Sequence, residues 1–142
     1  LQAISQLATA YAQTRVQFER PIASFQAVQA HLVTIAQQAS LVDVAFQAAA
    51  SRAGNRAFEI AAAKLLANRA AITATRAAHQ VLGAIGTTLE HPLSAHTRRL
   101  WAWRDEFGSE RDWSARLGAA AVAAGADRLY PAVTGGSAEL EL

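Results

Sequence analysis

FQAVQAHLVTIAQQASLVDVAFQAAASRA, residues 25–53, is the stretch that decides the fold class. Its apolar residues Phe25, Val28, Leu32, Ile35, Ala39, Val42, Phe46 and Ala49 follow one another in alternating steps of three and four. An α-helix places such a series on one face, and the alternation is the seam of helices packed side by side. The spacing therefore predicts a helix over about Phe25–Ala53 with that seam buried. Composition points the same way, with 36 alanines against 8 glycines and 3 prolines in 142 residues. Alanine has the best intrinsic helix propensity, and glycine and proline the worst. A GC-rich genome would raise both Ala and Arg, and there are 12 arginines beside the single Lys64. Such a bias does not arrange residues at helical spacing.

Working outward, Leu1, Ile4, Ala8, Tyr11, Arg15 and Phe18 predict a first helix to about Phe18, ended by Pro21, which removes a backbone donor. Ser24 is then a candidate cap for the second helix. Gly54-Asn55 supplies a turn, and a third helix is expected over about Arg56–Leu82 with Phe58, Ala62, Leu65 and Ile72 inward. The short loop makes the neighbours antiparallel. Gly83–Pro92 breaks the pattern and is the candidate functional loop. A fourth helix follows over about Leu93–Phe107, and a fifth is capped by Ser109, carries Glu110 and Asp112 in its first turn, and runs to about Gly125. The expected fold is all-α: an antiparallel up-down four-helix bundle with an additional short C-terminal helix. It is read as one domain over 1–142, with residues 126–142 as a loose tail. No Met occurs, and Leu1 enters the first helical pattern without a capping residue, so the chain is read as a fragment of a longer one.

The absence of Cys excludes disulfides, zinc-thiolate sites and thiol catalysis, and suits a reducing cytoplasm. No run approaches the ~18 apolar residues of a membrane span. A net charge of +2, from 13 basic and 11 acidic residues, does not make a nucleic-acid binder. Arg98 and Arg99 beside Trp101 and Trp103 read as a solvated face backed by core aromatics. A di-iron bundle wants Glu-x-x-His, and none of His31, His79, His91 and His96 has a Glu three positions earlier. No metal site is expected.

Two segments resemble a known family. RVQFERPIASFQAVQ, Arg15 to Gln29, resembles the R-x-Q-F-G-x-P-I-x-x-F-Q-x-x-Q signature of acyl-CoA dehydrogenases. HQVLGAIGTTLEHPLSAHTRR, His79 to Arg99, resembles their Q-x-x-G-G-x-G-x-x-x-E-x-P loop and following helix. The resemblance covers about Leu1 to Gly125, the family's C-terminal helical domain. It implies FAD as cofactor, an acyl-CoA substrate desaturated at the α,β bond, electron-transfer flavoprotein as electron acceptor, a role in lipid metabolism by β-oxidation, and a homo- or hetero-oligomer, dimer or tetramer. In the family this domain reaches the adenosine and pyrophosphate of an FAD held mainly by a neighbouring subunit. The matching positions are Arg15, whose planar fork suits a pyrophosphate, with Gln17, Phe18 and Gln26 beside it, and Gln80 and Gly83 in the loop. Glu90, His91, Pro92 and Arg98 match as structural residues.

Departures bear equally on function. Many members carry a glutamate directly before a glycine after the fourth helix, and it abstracts the α-proton. Here Phe107 precedes Gly108, so no catalytic residue is assigned in this chain. Glu106 is the local alternative, but within a helix it would be rotated by about 100°. Glu19 and Ala84 replace family glycines, and Ser109-Glu110-Arg111 replaces the usual T-S-Q. The base is expected upstream of Leu1 or in a partner. The alternative is a non-catalytic assembly or scaffolding subunit that binds no flavin.

Overall fold

The computed structural model describes residues 1–51 and 56–134, without the side chains of residues 132 and 133. Six helices occupy most of them: α1 (Gln2–Thr14), α2 (Gln26–Ser51), α3 (Ala57–Leu82), α4 (Leu93–Asp105), α5 (Glu110–Ala124) and α6 (Ala126–Val133). A two-stranded hairpin, β1 (Val16–Gln17) and β2 (Arg20–Pro21), joins α1 to α2. The fold is all-α, as expected. Gly54-Asn55, the last predicted residues of α2 and the tail from 135 onward lie outside the described residues.

α3 is the central helix and packs against α1, α2, α4 and α5. Arg56 ties the start of α3 to the end of α2 by donating to the carbonyls of Ala49 and Ala50 at 3.4 and 3.3 Å, as in an antiparallel pair. The core gathers Ile4, Ala8 and Ala12 of α1, Ile35 of α2, Ala74, Ala78, Val81 and Leu82 of α3, and Leu93 of α4. Burying each large aliphatic side chain there is worth about 1.5–3 kcal/mol. The many alanines let the helix axes approach closely.

The α2 seam is inward with one exception. Ile35, Ala39 and Ala49 are buried and Phe25, Val28, Leu32 and Val42 half-buried, but Phe46 is 64% exposed. On α3 the inward residues differ from expectation. Phe58, Ala62, Leu65 and Ile72 are only half-buried, and the buried stripe is Ala61, Asn68, Ala71, Thr75, Ala78 and Leu82. With neighbours on several sides, the closest contacts fall to the smallest side chains, so the bulkiest residues do not mark the inward face. Nor do the indoles of Trp101 and Trp103 back the arginine face from within, since both are exposed.

Three boundaries also differ. α1 stops at Thr14, because Arg15 is extended and Ile22 donates to its carbonyl at 2.8 Å, which closes the hairpin. Ser24 does not cap α2, since its hydroxyl donates to the Pro21 carbonyl at 2.8 Å within a 3₁₀ turn over Ile22–Ser24. Residues from 126, expected to be a loose tail, are helical through Val133: Gly125, at φ 79°, ends α5 and starts α6, and Asp127 sits in the first turn. α6 is helical without being buried, for Ala126 to Pro131 are all exposed.

Candidate functional site

The hairpin gathers four of the six predicted cofactor residues. Phe18 and Glu19 form its two-residue turn with φ of 51° and 65°, both left-handed, which is the geometry of a type I′ turn. That turn favours Asn-Gly, so Phe-Glu holds it at a cost of about 1–2 kcal/mol per residue. Phe18 is 86% exposed, which rules out a core role within this chain. Its ring stands edge-to-face on Phe25, with centroids 5.9 Å apart, and the Arg20 guanidinium lies 4.3 Å from the Phe25 centroid. Arg15, Gln17 and Gln26 are exposed around it. Gln17 donates to the Val16 carbonyl, whereas the Arg15 guanidinium has no partner among the described residues.

Gln80 and Gly83 are exposed at the end of α3. Because α2 and α3 are antiparallel, the start of one and the end of the other share an end of the bundle, and that end also carries the hairpin. Tyr11 and His91 join the two regions edge-to-face at 6.3 Å. Among the described residues no hydrogen bond links the two groups of predicted residues directly. Gly83 has φ 63° and ψ −143°, a conformation nearly confined to glycine, and the space where a Cβ would stand is open. The rest of the loop is built: Gly86 is buried between Leu82, Leu93 and His79, while His91 Nδ1 accepts from the Leu93 N–H at 3.1 Å.

The opposite end of α4 holds Phe107, which the resemblance sets opposite a glutamate of many family members. Glu106 follows the helix in extended conformation, with φ −67° and ψ 136°. The expected helical rotation of Glu106 relative to residue 107 therefore does not apply. Phe107 turns back with φ 58° and is 90% exposed, and Gly108 has φ 107°. Glu106 and Phe107 line one open cavity of about 440 Å³ with Lys64, Ala67, Asn68, Ala71, Leu100, Trp103 and Arg104. Nothing about the Phe107 ring accepts a proton.

This corner is held from two sides. From α3, the Lys64 ammonium donates to Asn68 Oδ1 at 2.8 Å and to the Trp103 carbonyl at 2.7 Å, with Arg104 O at 3.4 Å, while Asn68 donates to the Gly108 carbonyl at 3.4 Å. Burial lowers the pKa of Lys64 below the usual lysine range, against the opposing pull of the Asp105 and Glu106 carboxylates. From α5, the Trp113 indole donates to the Phe107 carbonyl at 3.0 Å, and Ser109 and Asp112 form a reciprocal capping box. Glu110 of α5 pairs with Arg69 of α3 at 2.9 Å. Lys64, Asn68 and Trp113 escaped the sequence reading. The signal available was the chain's one lysine four residues before an asparagine on the same helix.

No helix among the described residues is long and apolar enough to cross a membrane, and no group of three or more His, Asp or Glu among them could hold a metal ion.

Comparison with known proteins draws on sequence and structure alike. The family model described as acyl-CoA dehydrogenase, C-terminal domain, matches residues 1–110. The chain is similar to acyl-CoA dehydrogenase FadE34 of Mycobacterium tuberculosis, at 35% identity over 117 residues, which cover 78% of this chain and 16% of that protein. Among solved structures it is similar to butyryl-CoA dehydrogenase from Megasphaera elsdenii, with TM-score 0.79 and 25% identity over 84% of this chain and 32% of that one. It is similar also to a chain of the ChsE4-ChsE5 complex from Mycobacterium tuberculosis, with TM-score 0.78 and 26% identity over 83% of this chain and 33% of that one. The chain thus spans a third or less of the length of these relatives.

Proposed function

We propose a function from one premise: the chain belongs to the acyl-CoA dehydrogenase family, as its C-terminal helical domain. It serves an FAD-dependent α,β-desaturation of an acyl-CoA thioester in the cytoplasm, contributing cofactor contacts and an oligomer interface rather than the proton-abstracting base. Its electrons pass to an electron-transfer flavoprotein. The observation that carries this reading is the hairpin end of the bundle, where the exposed Arg15 guanidinium has no partner among the described residues.

The residues present fit the group. An exposed guanidinium can meet a diphosphate through parallel charge-assisted hydrogen bonds, and Gly83 leaves open space for a close backbone approach. Arg15 would hold the phosphates, Gln17, Phe18 and Gln26 would flank them, and Gln80 and Gly83 would approach the adenosine end. When bound, FAD accepts the β-hydride. Phe107 can take no part in removing the α-proton; Glu106, which lines the same cavity, is the local alternative, and the reading places the base in a segment or subunit outside these 142 residues.

The test is Arg15→Ala in the assembled enzyme. The expected result is weaker flavin retention, read from the flavin absorbance after gel filtration, with the helical content unchanged. Unchanged flavin content would count against the assignment. A second reading, an assembly subunit that binds no flavin, is favoured by two observations: Glu19 adds a carboxylate at the hairpin tip, and Phe107 stands where the family's glutamate would. Flavin bound by the partners at equal stoichiometry with and without this chain would favour that second reading.

A further inference from the structure

We propose that Lys64 is a positioning residue for the Glu106–Phe107–Gly108 corner, its ammonium acting as a clasp that fixes the end of α4 and so the place where residue 107 meets the adjoining cavity. The last carbonyls of a helix have no partner within it. In α4, the Trp103 and Arg104 carbonyls belong to that set, and Lys64 reaches them from α3 at 2.7 and 3.4 Å. The same nitrogen is oriented by Asn68 Oδ1 at 2.8 Å, and Asn68, 2% exposed, returns through its amide to the Gly108 carbonyl. One residue pair therefore grips the chain on both sides of Phe107. A cation at a helix C-terminus also meets the negative end of the helix dipole.

The corner needs such a grip because its backbone is unfavourable. Phe107 is left-handed and its side chain packs on almost nothing, at 90% exposure, so local preference would release it. The Trp113 indole fixes the Phe107 carbonyl from the other side, but it belongs to α5 and cannot anchor α4 to α3. Lys64 does so at the C-terminal end of α4, and the geometry holds whether or not the domain serves a flavoenzyme.

Hydrogen–deuterium exchange of the protein tests the clasp. Lys64→Met, which keeps the stem and removes the donors, should speed exchange of amides 103–109 by on the order of tenfold or more, as expected when hydrogen bonds to a charged group are lost. Amides 76–82, at the far end of α3, should keep their rates. These 142 residues contain no cysteine, so within them Lys64→Cys followed by aminoethylation restores an ammonium of nearly lysine length only at position 64, and should return residues 103–109 to their original protection. Unchanged exchange at 103–109 overturns the proposal. So does a uniform rise across the bundle, which would mark a merely structural lysine, and so does failure of the aminoethylated protein to recover. If Lys64→Met does not fold, Lys64→Leu, which also carries no donor, gives the same comparison.

Discussion

Replacing Gly108 with alanine puts a methyl group where the Trp113 indole already lies. An ideal Cβ at this position would stand 2.6 Å from Trp113 Nε1 and 3.2 Å from two further indole atoms. The ring cannot retreat freely, because its nitrogen donates to the Phe107 carbonyl at 3.0 Å. Moving it loses a hydrogen bond worth about 0.5–1.5 kcal/mol. The backbone at φ 107° adds a further cost, about 1–2 kcal/mol for an L side chain in left-handed space. Against this, alanine reduces the freedom of the unfolded chain by about 0.4–1 kcal/mol. The balance is a net loss of about 0.5–3 kcal/mol, a fall of roughly 2–10 °C in Tm for a domain of this size. Thermal unfolding followed by circular dichroism and tryptophan fluorescence measures it. Gly118→Ala is the internal control: that glycine lies within α5 with nothing near its Cβ position, so alanine should be neutral or stabilising there by up to about 1 kcal/mol. Equal midpoints for the two variants would refute the described geometry of the corner.

Two further outcomes follow from local geometry. Glu19→Gly should stabilise the protein by about 0.5–1 kcal/mol, as relief of a left-handed glutamate outweighs the added freedom of the unfolded chain, and a lowered urea midpoint would contradict the type I′ turn. At Asp112, hydrogen bonds from the Ser109 side chain and backbone hold the carboxyl below the usual carboxylate range. A depressed folded value means the capping box contributes fully above about pH 4 and fades as pH falls through that lower value. Stability measured between neutral and acid pH should therefore fall less steeply in Asp112→Asn than in the parent protein, and parallel curves would sink the assignment.

What the sequence made legible was periodic. The steps of three and four in α2 and the serine-aspartate pair at the start of α5 each state a local physical requirement, and each appears in place. The failures come where long-range packing decides. Arg15 and Phe18 continue the apolar register of α1 on paper, yet a hairpin wins, with the backbone bond from Ile22 to Arg15 and the edge-to-face contact of Phe18 with Phe25. Neither is visible as a spacing. On α3 the spacing puts the bulky residues inward, whereas a central helix presents alanines wherever a neighbour comes closest. The motif residues were legible only through resemblance, since exposed glutamines and a lone arginine have no pattern of their own. Lys64 and Asn68 were hidden because their partners are backbone carbonyls some forty positions away.

The corner at residue 107 separates scaffold from chemistry. An exposed phenylalanine in left-handed conformation is costly twice, through its backbone and through apolar surface left in water. Neither cost is offset within the described residues, for the ring touches no core. Yet the supports around it are intact: the Lys64 clasp, the Asn68 tie, the indole bond and a glycine that the indole requires. Supports of this kind fix a side chain's position without regard to its identity. If Phe107 is covered in an assembly, its apolar surface becomes a source of association energy at about 25 cal/mol per Å² buried, and the energy held in the strained turn is spent on aiming that surface. A glutamate there would use the same aim to reach a proton. The fold at this corner is therefore compatible with a catalytic subunit and with a partner that only completes one, and the difference between them lies in one side chain and what it faces.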